Sequence, residues 1–284
     1  MSFEPELDFG FLTQNQKPKP LFSYSTSLNL SQDDPTTLFE SLKKAGITGI
    51  DLASAWGKEL YELTNEDLKQ LEKILKQTEL AISRVNSQIG TIGIGDAFES
   101  EKLKFERMLE VADWFGASYI KVSSFKGDGT NPEQLAEAIK RLSELAEQAQ
   151  PWGIIMLHEN APGYIGDKAA RCKHIIYEVA SSNLRTSFNP AQFMEVGEKP
   201  LSEAYEPMLA QYTYVQLENS LFQSPETLEQ SELKKLLATM WENGYQGYIN
   251  LDTREDGAFQ LNSFESKLAT LKGIVKAVSS SESV

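Results

Sequence analysis

Two features of this 284-residue chain predict a parallel (β/α)8 barrel: eight short β-rich runs alternate with helical patterns, and four of the helices close on a glycine that leads at once into the next run. Parallel strands need crossover connections, so strict alternation implies a parallel sheet, and eight such units in about 250 residues close into a barrel. A third observation removes the rival. An open doubly wound sheet needs a glycine-rich phosphate turn after its first strand to carry a nucleotide, and FSYSTSLNLS has no glycine.

In order, the strand patterns fall at residues 21–27, 47–52, 80–86, 118–123, 153–158, 184–188, 212–217 and 247–252. KKAGITGIDLA, WFGASYIKVSS, QPWGIIMLHEN and ENGYQGYINLD place Gly46, Gly116, Gly153 and Gly244 where a helix must stop, because glycine takes the left-handed conformation that ends a helix. Asp34-Pro35, Asn131-Pro132 and Ser224-Pro225 mark helix starts: the polar side chain caps free backbone donors and proline's fixed φ suits the first turn. Between these marks apolar residues recur at helical spacing, as in Phe105, Met108, Leu109, Ala112 and Phe115, or Leu135, Ile139, Leu142 and Ala146. Residues 1–20, with a polar KPKP, read as an N-terminal extension packed near the lower end of the barrel. The barrel domain itself spans 21–278, and 279–284 form a flexible tail.

Composition narrows the function. With 27 basic against 41 acidic side chains the net charge is -14, which repels polyanions, so neither nucleic acid nor an anionic membrane is an expected partner. The single Cys172 closes no intrachain disulfide, the acidic MSFEPELDFGF is unlike a secretory leader, and no run is long enough to span a bilayer; a cytoplasmic location follows as the expectation.

In such a barrel, chemistry sits at the C-terminal ends of the strands. Side chains alternate along a strand, so if Ile249 and Leu251 of YINLDTRED face the helices, Asn250 and Asp252 face the axis. The same count turns Glu159, Asn189, Gln216, Glu218 and Lys121 inward. Carboxylates, amides and a lysine at one end of a closed barrel make a pocket for a small polar ligand.

AGITGIDL, LHENAPGYIGD, SFNPAQFMEVGEKP, YVQLENS and GYQGYINLDTRED together resemble the xylose isomerase-like TIM barrel family, which includes sugar epimerases, inosose dehydratase, hydroxypyruvate isomerase and family 2 apurinic endonucleases. The resemblance implies a motif order of glutamate on the fifth strand, Asp-x-x-His after the sixth, histidine on the seventh and glutamate on the eighth, in which the two glutamates, the aspartate and the seventh-strand histidine hold a divalent metal and the other histidine is a neighbour. It implies two glutamates that move a proton on a hydroxy-carbonyl substrate, with the metal polarising the carbonyl. At the matching positions this chain has Glu159, Asn189 with Gln192, Gln216 and Asp252. It therefore resembles a member with a degenerate metal site: Glu159, Asn189, Gln216 and Asp252 would bind magnesium or manganese weakly, and with no imidazole among them zinc is disfavoured. The plain alternative is that these four hydrogen-bond one another and no metal binds.

The expected reaction is isomerisation or epimerisation of a small sugar or polyol, with Glu159 and Asp252 as the proton-transfer pair and Lys121 as an electrophile or as the ion-pair partner of a site acid. Asn189, Gln192, Gln216, Glu218, Asn250, Arg254, Trp56 and His158 are the candidate substrate contacts. Each has a structural alternative: a salt bridge for Arg254, a lid for Trp56, and a packed, hydrogen-bonded core position for His158. Cys172 and His174 in AARCKHIIYEVA read as packing residues. The rival function is a non-catalytic barrel that binds a sugar or polyol. An endonuclease is disfavoured by the acidic balance and the missing histidines. A homo-oligomer is compatible with the sequence.

Overall fold

The structure, a computed structural model, describes residues 20–31, 34–222, 232–255 and 258–280. Eight parallel strands close on themselves: β1 (Leu21–Leu30), β2 (Gly49–Ala55), β3 (Ala81–Asn86), β4 (Tyr119–Val122), β5 (Ile155–His158), β6 (Leu184–Phe188), β7 (Tyr212–Glu218) and β8 (Gln246–Asp252) pair in sequence order, and β1 pairs with both β2 and β8. All eight lie where the residue patterns put them. A two-residue antiparallel strand, Lys58–Glu59, doubles back on β2.

The helices following the strands are α1 (Thr36–Lys44), α2 (Asn65–Thr78), α3 (Glu99–Trp114), α4 (Pro132–Ala149), α5 (Ala169–Val179), α6 (Pro190–Glu195), α7 (Glu232–Glu242) and α8 (Leu261–Ser280). Gly46, Gly116, Gly153 and Gly244 all have positive φ, the conformation that ends a helix and re-aims the chain into the next strand. Asn131 Oδ1 accepts from the backbone N–H groups of Glu133 and Gln134, capping α4 above Pro132. Asp34 Oδ1 accepts from Thr36 N at the start of α1. The Ser224-Pro225 start and the extension over residues 1–19 fall outside the described residues, while α8 runs to Ser280, two residues into the expected tail.

Inside the barrel the packing is tight. A Cβ on Gly49 of β2 would sit 2.6 Å from Ser83 Cβ and 2.8 Å from a ring carbon of Tyr248, so the barrel interior closes only with glycine there. Two strands shift register next to each other: β2 and β3 slip between Ile50 and Asp51, pairing Asp51 with Arg84. Ile82 and Val85 join the apolar core, whereas Ser83, Arg84 and Asn86 make polar contacts with other barrel strands. A bulge of this kind re-aims a side chain, and here it serves Arg84.

Candidate active site

The barrel interior is layered. Its aromatic layer is Tyr214, with Tyr119 and Tyr248 ring centroids 6.2 and 5.9 Å away. The Tyr214 hydroxyl is hydrogen-bonded to Ser25 and Ser83 at 2.9 and 3.1 Å. Against that ring lies the guanidinium of Arg84, its Cζ 4.5 Å from the centroid, a cation over an aromatic face. Arg84 is fully buried, and its donors are divided among three strands. Nε and Nη2 donate to the two oxygens of Asp51 at 3.2 and 2.7 Å, Nη1 donates to Glu159 Oε2 at 3.1 Å, and Nη2 also reaches Gln216 Oε1 at 2.5 Å. Ser27 and Asn86 complete the shell of Asp51 at 2.9 and 3.3 Å. Burial disfavours the charged form of Arg84, but Asp51 and then Glu159 outweigh it and favour the charge.

Beyond this layer, at the C-terminal ends of the strands, a cavity of about 490 Å³ opens among Lys121, Glu159, Gln216, Glu218, Asp252 and Arg254. A second, of about 260 Å³, adjoins it through Lys121, Gln216 and Arg254 and extends to Asn29, Glu59 and Asn86. Two larger hollows, of about 520 and 720 Å³, lie elsewhere, one around Tyr205, Tyr212 and Tyr245 and the other around Leu28, Leu38 and Phe259. Neither of those gathers carboxylates and cations as the strand-end cavity does.

Nearly every charge around the cavity has an answer. Lys121 Nζ lies 3.6 Å from Glu159 Oε1, pairing with a site acid. Burial raises the Glu159 carboxyl, but Lys121 and Arg84 outweigh it and hold the group below its usual range. Arg254 grips Asp252 with two bonds, Nε to Oδ1 at 2.8 Å and Nη2 to Oδ2 at 2.6 Å, and its Nη1 reaches Asn29 Oδ1 at 3.3 Å. Glu218 differs. Its Oε1 accepts from Asn189 Nδ2 at 2.6 Å and from Gln192 Nε2 at 3.0 Å, and among the described residues no cation pairs with it. Burial pushes its carboxyl up, the two amides pull it down, and the charges of Glu159 and Asp252 add to the rise, with the net shift upward.

The paired amides of SFNPAQF are explained by this contact. Pro190 opens α6, Asn189 precedes it and Gln192 lies three residues on, one helical turn apart, so both amides address one carboxylate. Asn189 forms no side-chain cap on α6 because its amide is turned to Glu218. The expectation that Glu159, Asn189, Gln216 and Asp252 bond to one another is corrected: each is bound to a residue outside the four, Asn189 to Glu218, Gln216 and Glu159 both to Arg84, Asp252 to Arg254. Glu159, Gln216 and Asp252 line the cavity, whereas Asn189 lies fully buried behind Glu218.

Other expected contacts are also relocated. Asn250 is fully buried, donating to Ser25 Oγ at 3.2 Å and accepting from Ser27 at 2.9 Å, and so belongs to the packed interior beneath the cavity. His158 faces the helical shell as alternation requires, but it is not hydrogen-bonded: both ring nitrogens are buried without a partner among the described residues. The chain at Gly166 presses on the ring, so near that a Cβ there would be 2.8 Å from Nε2 and from Ser124 Oγ. Trp56, at positive φ in the turn after β2, packs on the apolar core and lines neither strand-end cavity. Cys172 is buried, its thiol donating to the Gly166 carbonyl at 3.1 Å, and His174 is exposed on α5. Asp51 and Arg84 were not among the expected site residues; alternation finds Asp51, flanked by Ile50 and Leu52, but not Arg84, which the register shift turns to the same side as its neighbour Ser83, both meeting Tyr214.

The family profile of the xylose isomerase-like TIM barrel matches residues 39–274. The chain belongs to this family. Several solved barrels share its architecture at low identity: a 3-keto-D-glucoside 4-epimerase from E. coli (18% identity, 89% of this chain and 100% of that one, TM-score 0.70), a D-psicose 3-epimerase from Clostridium cellulolyticum H10 described with D-tagatose (12%, 90% and 99%, 0.72), and a xylose isomerase-like TIM barrel protein from Mycobacterium smegmatis in complex with magnesium (16%, 90% and 97%, 0.67). No curated protein matches the chain in sequence. Among the described residues no helix is long and apolar enough to cross a membrane.

A divalent ion implied by the family does not fit the side chains as they stand. Glu159 Oε2 and Gln216 Oε1 are bound to Arg84, both oxygens of Asp252 are bound to Arg254, and the Asn189 amide points its nitrogen at Glu218. Among the described residues no three His, Cys, Asp or Glu side chains are arranged to hold an ion.

Proposed function

We propose that this barrel is a sugar or polyol epimerase or isomerase that moves a proton on a small, uncharged hydroxy-carbonyl substrate without a divalent ion. The observation that carries the reading is the strand-end cavity, where Lys121, Glu159 and Asp252 converge in a xylose isomerase-like barrel whose fold is shared by solved sugar epimerases. Three cations, Arg84, Lys121 and Arg254, stand against four carboxylates, Asp51, Glu159, Glu218 and Asp252. A phosphorylated or acidic sugar would add charge to a site already on the negative side, so a neutral sugar suits it better.

In this reading Glu159 and Asp252 are the proton-transfer pair and Lys121 the electrophile. The 3.6 Å contact between Lys121 and Glu159 is long for an ion pair, so it is readily exchanged. A substrate carbonyl oxygen that takes the ammonium as its donor draws it from Glu159 Oε1. Glu159 then becomes the stronger base as the enolate oxygen acquires its stabilising charge. Gln216 and Glu218 offer hydroxyl contacts beside them, and Arg254 holds Asp252 in place.

One observation favours the rival, a barrel that binds a sugar without turning it over: a carboxylate held below its usual range by two cations is a weak base. Both readings meet one test. Ketopentoses, ketohexoses and 3-keto sugars are incubated with the protein in D2O, and deuterium at carbon is followed by NMR beside calorimetric binding. Exchange that falls at least about 100-fold in Glu159→Gln supports the enzyme. Binding without exchange supports the binder, and neither binding nor exchange across the panel sinks both.

A further inference from the structure

We infer that Arg84 is a resident cation of the barrel: its guanidinium takes the electrostatic place of a divalent ion, making the site independent of metal and fixing Glu159 and Gln216 for whatever the cavity binds. Arg84 bonds to two of the positions, Glu159 and Gln216, at which the family pattern would have placed ligands to an ion, and adds the two oxygens of Asp51 from the next strand. No solvent reaches it, so an ion arriving from the cavity meets oxygens already committed to a charge that cannot leave. Ser187 Oγ donates to the same Glu159 oxygen at 3.4 Å, and Tyr214 closes the opposite side of the guanidinium. Arg84 is therefore a positioning residue. It ties down Oε2 of Glu159 and leaves Oε1 toward Lys121 and the cavity.

Removing the side chain while keeping its anions should turn a metal-independent barrel into a cation-dependent one. In Arg84→Ala, Asp51, Glu159 and Gln216 surround a hole lined by oxygen, the donor type that hard divalent ions take. A buried pair broken from one side is strongly destabilising, so the melting temperature should fall by roughly 10 °C. Millimolar manganese, or millimolar guanidinium as a replacement for the lost group, should restore at least half of the loss. Free manganese, counted by its electron paramagnetic resonance signal, should be depleted by the variant and untouched by the unaltered protein. Adding Asp51→Asn and Glu159→Gln to Arg84→Ala should abolish both rescue and depletion. A merely structural arginine would give the fall in stability without cation-specific recovery. The inference is overturned if the unaltered protein depletes manganese, if Arg84→Ala responds to neither cation, or if the response survives loss of the two carboxylates. If Arg84→Ala does not accumulate in soluble form, Arg84→Gln decides: keeping a hydrogen-bonding side chain without the charge, it should fold, melt below the unaltered protein and take up manganese, whereas uptake no greater than that of the unaltered protein would overturn the idea. None of these readouts uses turnover, so they stand or fall separately from the proposed reaction.

Discussion

Lowering the pH from 7 to 5 should destabilise this protein by about 2 kcal/mol through one side chain, His158. Its imidazole is fully buried with both nitrogens unpartnered among the described residues, so a proton arriving there would bring an unpaired charge into the core. Burial lowers its pKa from 6.5 to about 4, with the nearby Glu159 charge pulling weakly the other way. Because the folded state binds the proton less well than the unfolded one, stability rises with pH: the penalty is absent above 6.5, grows as pH falls toward 4 and levels off below it. The gap is worth roughly 3 kcal/mol in full, and about 2 kcal/mol of it develops between pH 7 and 5. The assay is urea unfolding at both pH values for the unaltered protein and for His158→Leu, which keeps an apolar side chain of similar bulk and cannot titrate. Carboxylates such as Glu159 contribute at lower pH in both proteins and cancel in the comparison. The unaltered protein should lose about 2 kcal/mol more than the variant. Equal losses would mean that His158 takes up its proton in the folded state, and the argument from burial would be wrong.

Other outcomes are equally definite. Lys121→Met should lower deuterium exchange into a ketose at least about 100-fold if the ammonium stabilises the developing enolate, and NMR reads it directly. Asn189→Asp would set a second carboxylate 2.6 Å from Glu218 and should cost roughly 2 kcal/mol at pH 8, shrinking toward pH 5 as the pair takes up a shared proton, as urea titrations at the two pH values would show. Gly49→Ala, forcing a methyl against Ser83 and Tyr248, should cost about 1–3 kcal/mol. Asn189→Asp, Gln216→His and Asp252→Glu combined, which restore the ligand types of the family pattern, should gain little manganese affinity while Arg84 is present and at least about tenfold once Arg84→Ala is added, as calorimetry would measure.

The barrel was legible because its signals are local. Helix-ending glycines and period-two alternation need no knowledge of distant residues, and every strand pattern from β1 to β8 is found in place. Which residues reach one end of the barrel was also readable, since alternation aimed Lys121, Glu159, Gln216, Glu218 and Asp252 correctly. What alternation lacks is depth. Asn250 and Asp252 point the same way, yet Asn250 is packed under the cavity and Asp252 lines it, a difference of one rung along β8. Partner choice is also hidden, because Asn189 meets Glu218 across 29 residues and Arg84 meets Gln216 across 132. Arg84 escaped attention for a further reason: its register shift is a relation between β2 and β3, invisible in either strand alone.

The amides and the arginine belong to one electrostatic solution. The family pattern sets three carboxylates and an imidazole around a divalent ion, which leaves one net negative charge. At the matching positions this chain has two carboxylates, Glu159 and Asp252, with the amides of Asn189 and Gln216 in place of the acid and the imidazole. Here Arg84 answers Glu159 and the added Asp51 while Arg254 answers Asp252, so the positive charge that an ion would bring is divided between two arginines. An amide is also the ligand that an arginine can use and a transition ion does not favour: Gln216 accepts from the guanidinium with its oxygen, while Asn189 spends its N–H on Glu218. Replacing only the amides by the ligand types of the family pattern would add negative charge around a cation too weak to balance it, and removing only the arginine would strand Asp51 and Glu159. The two changes are therefore expected to be strongly non-additive in a double-mutant cycle. Arg84→Ala and Asn189→Asp should each be destabilising alone, and in the presence of manganese the pair should be less so than their sum.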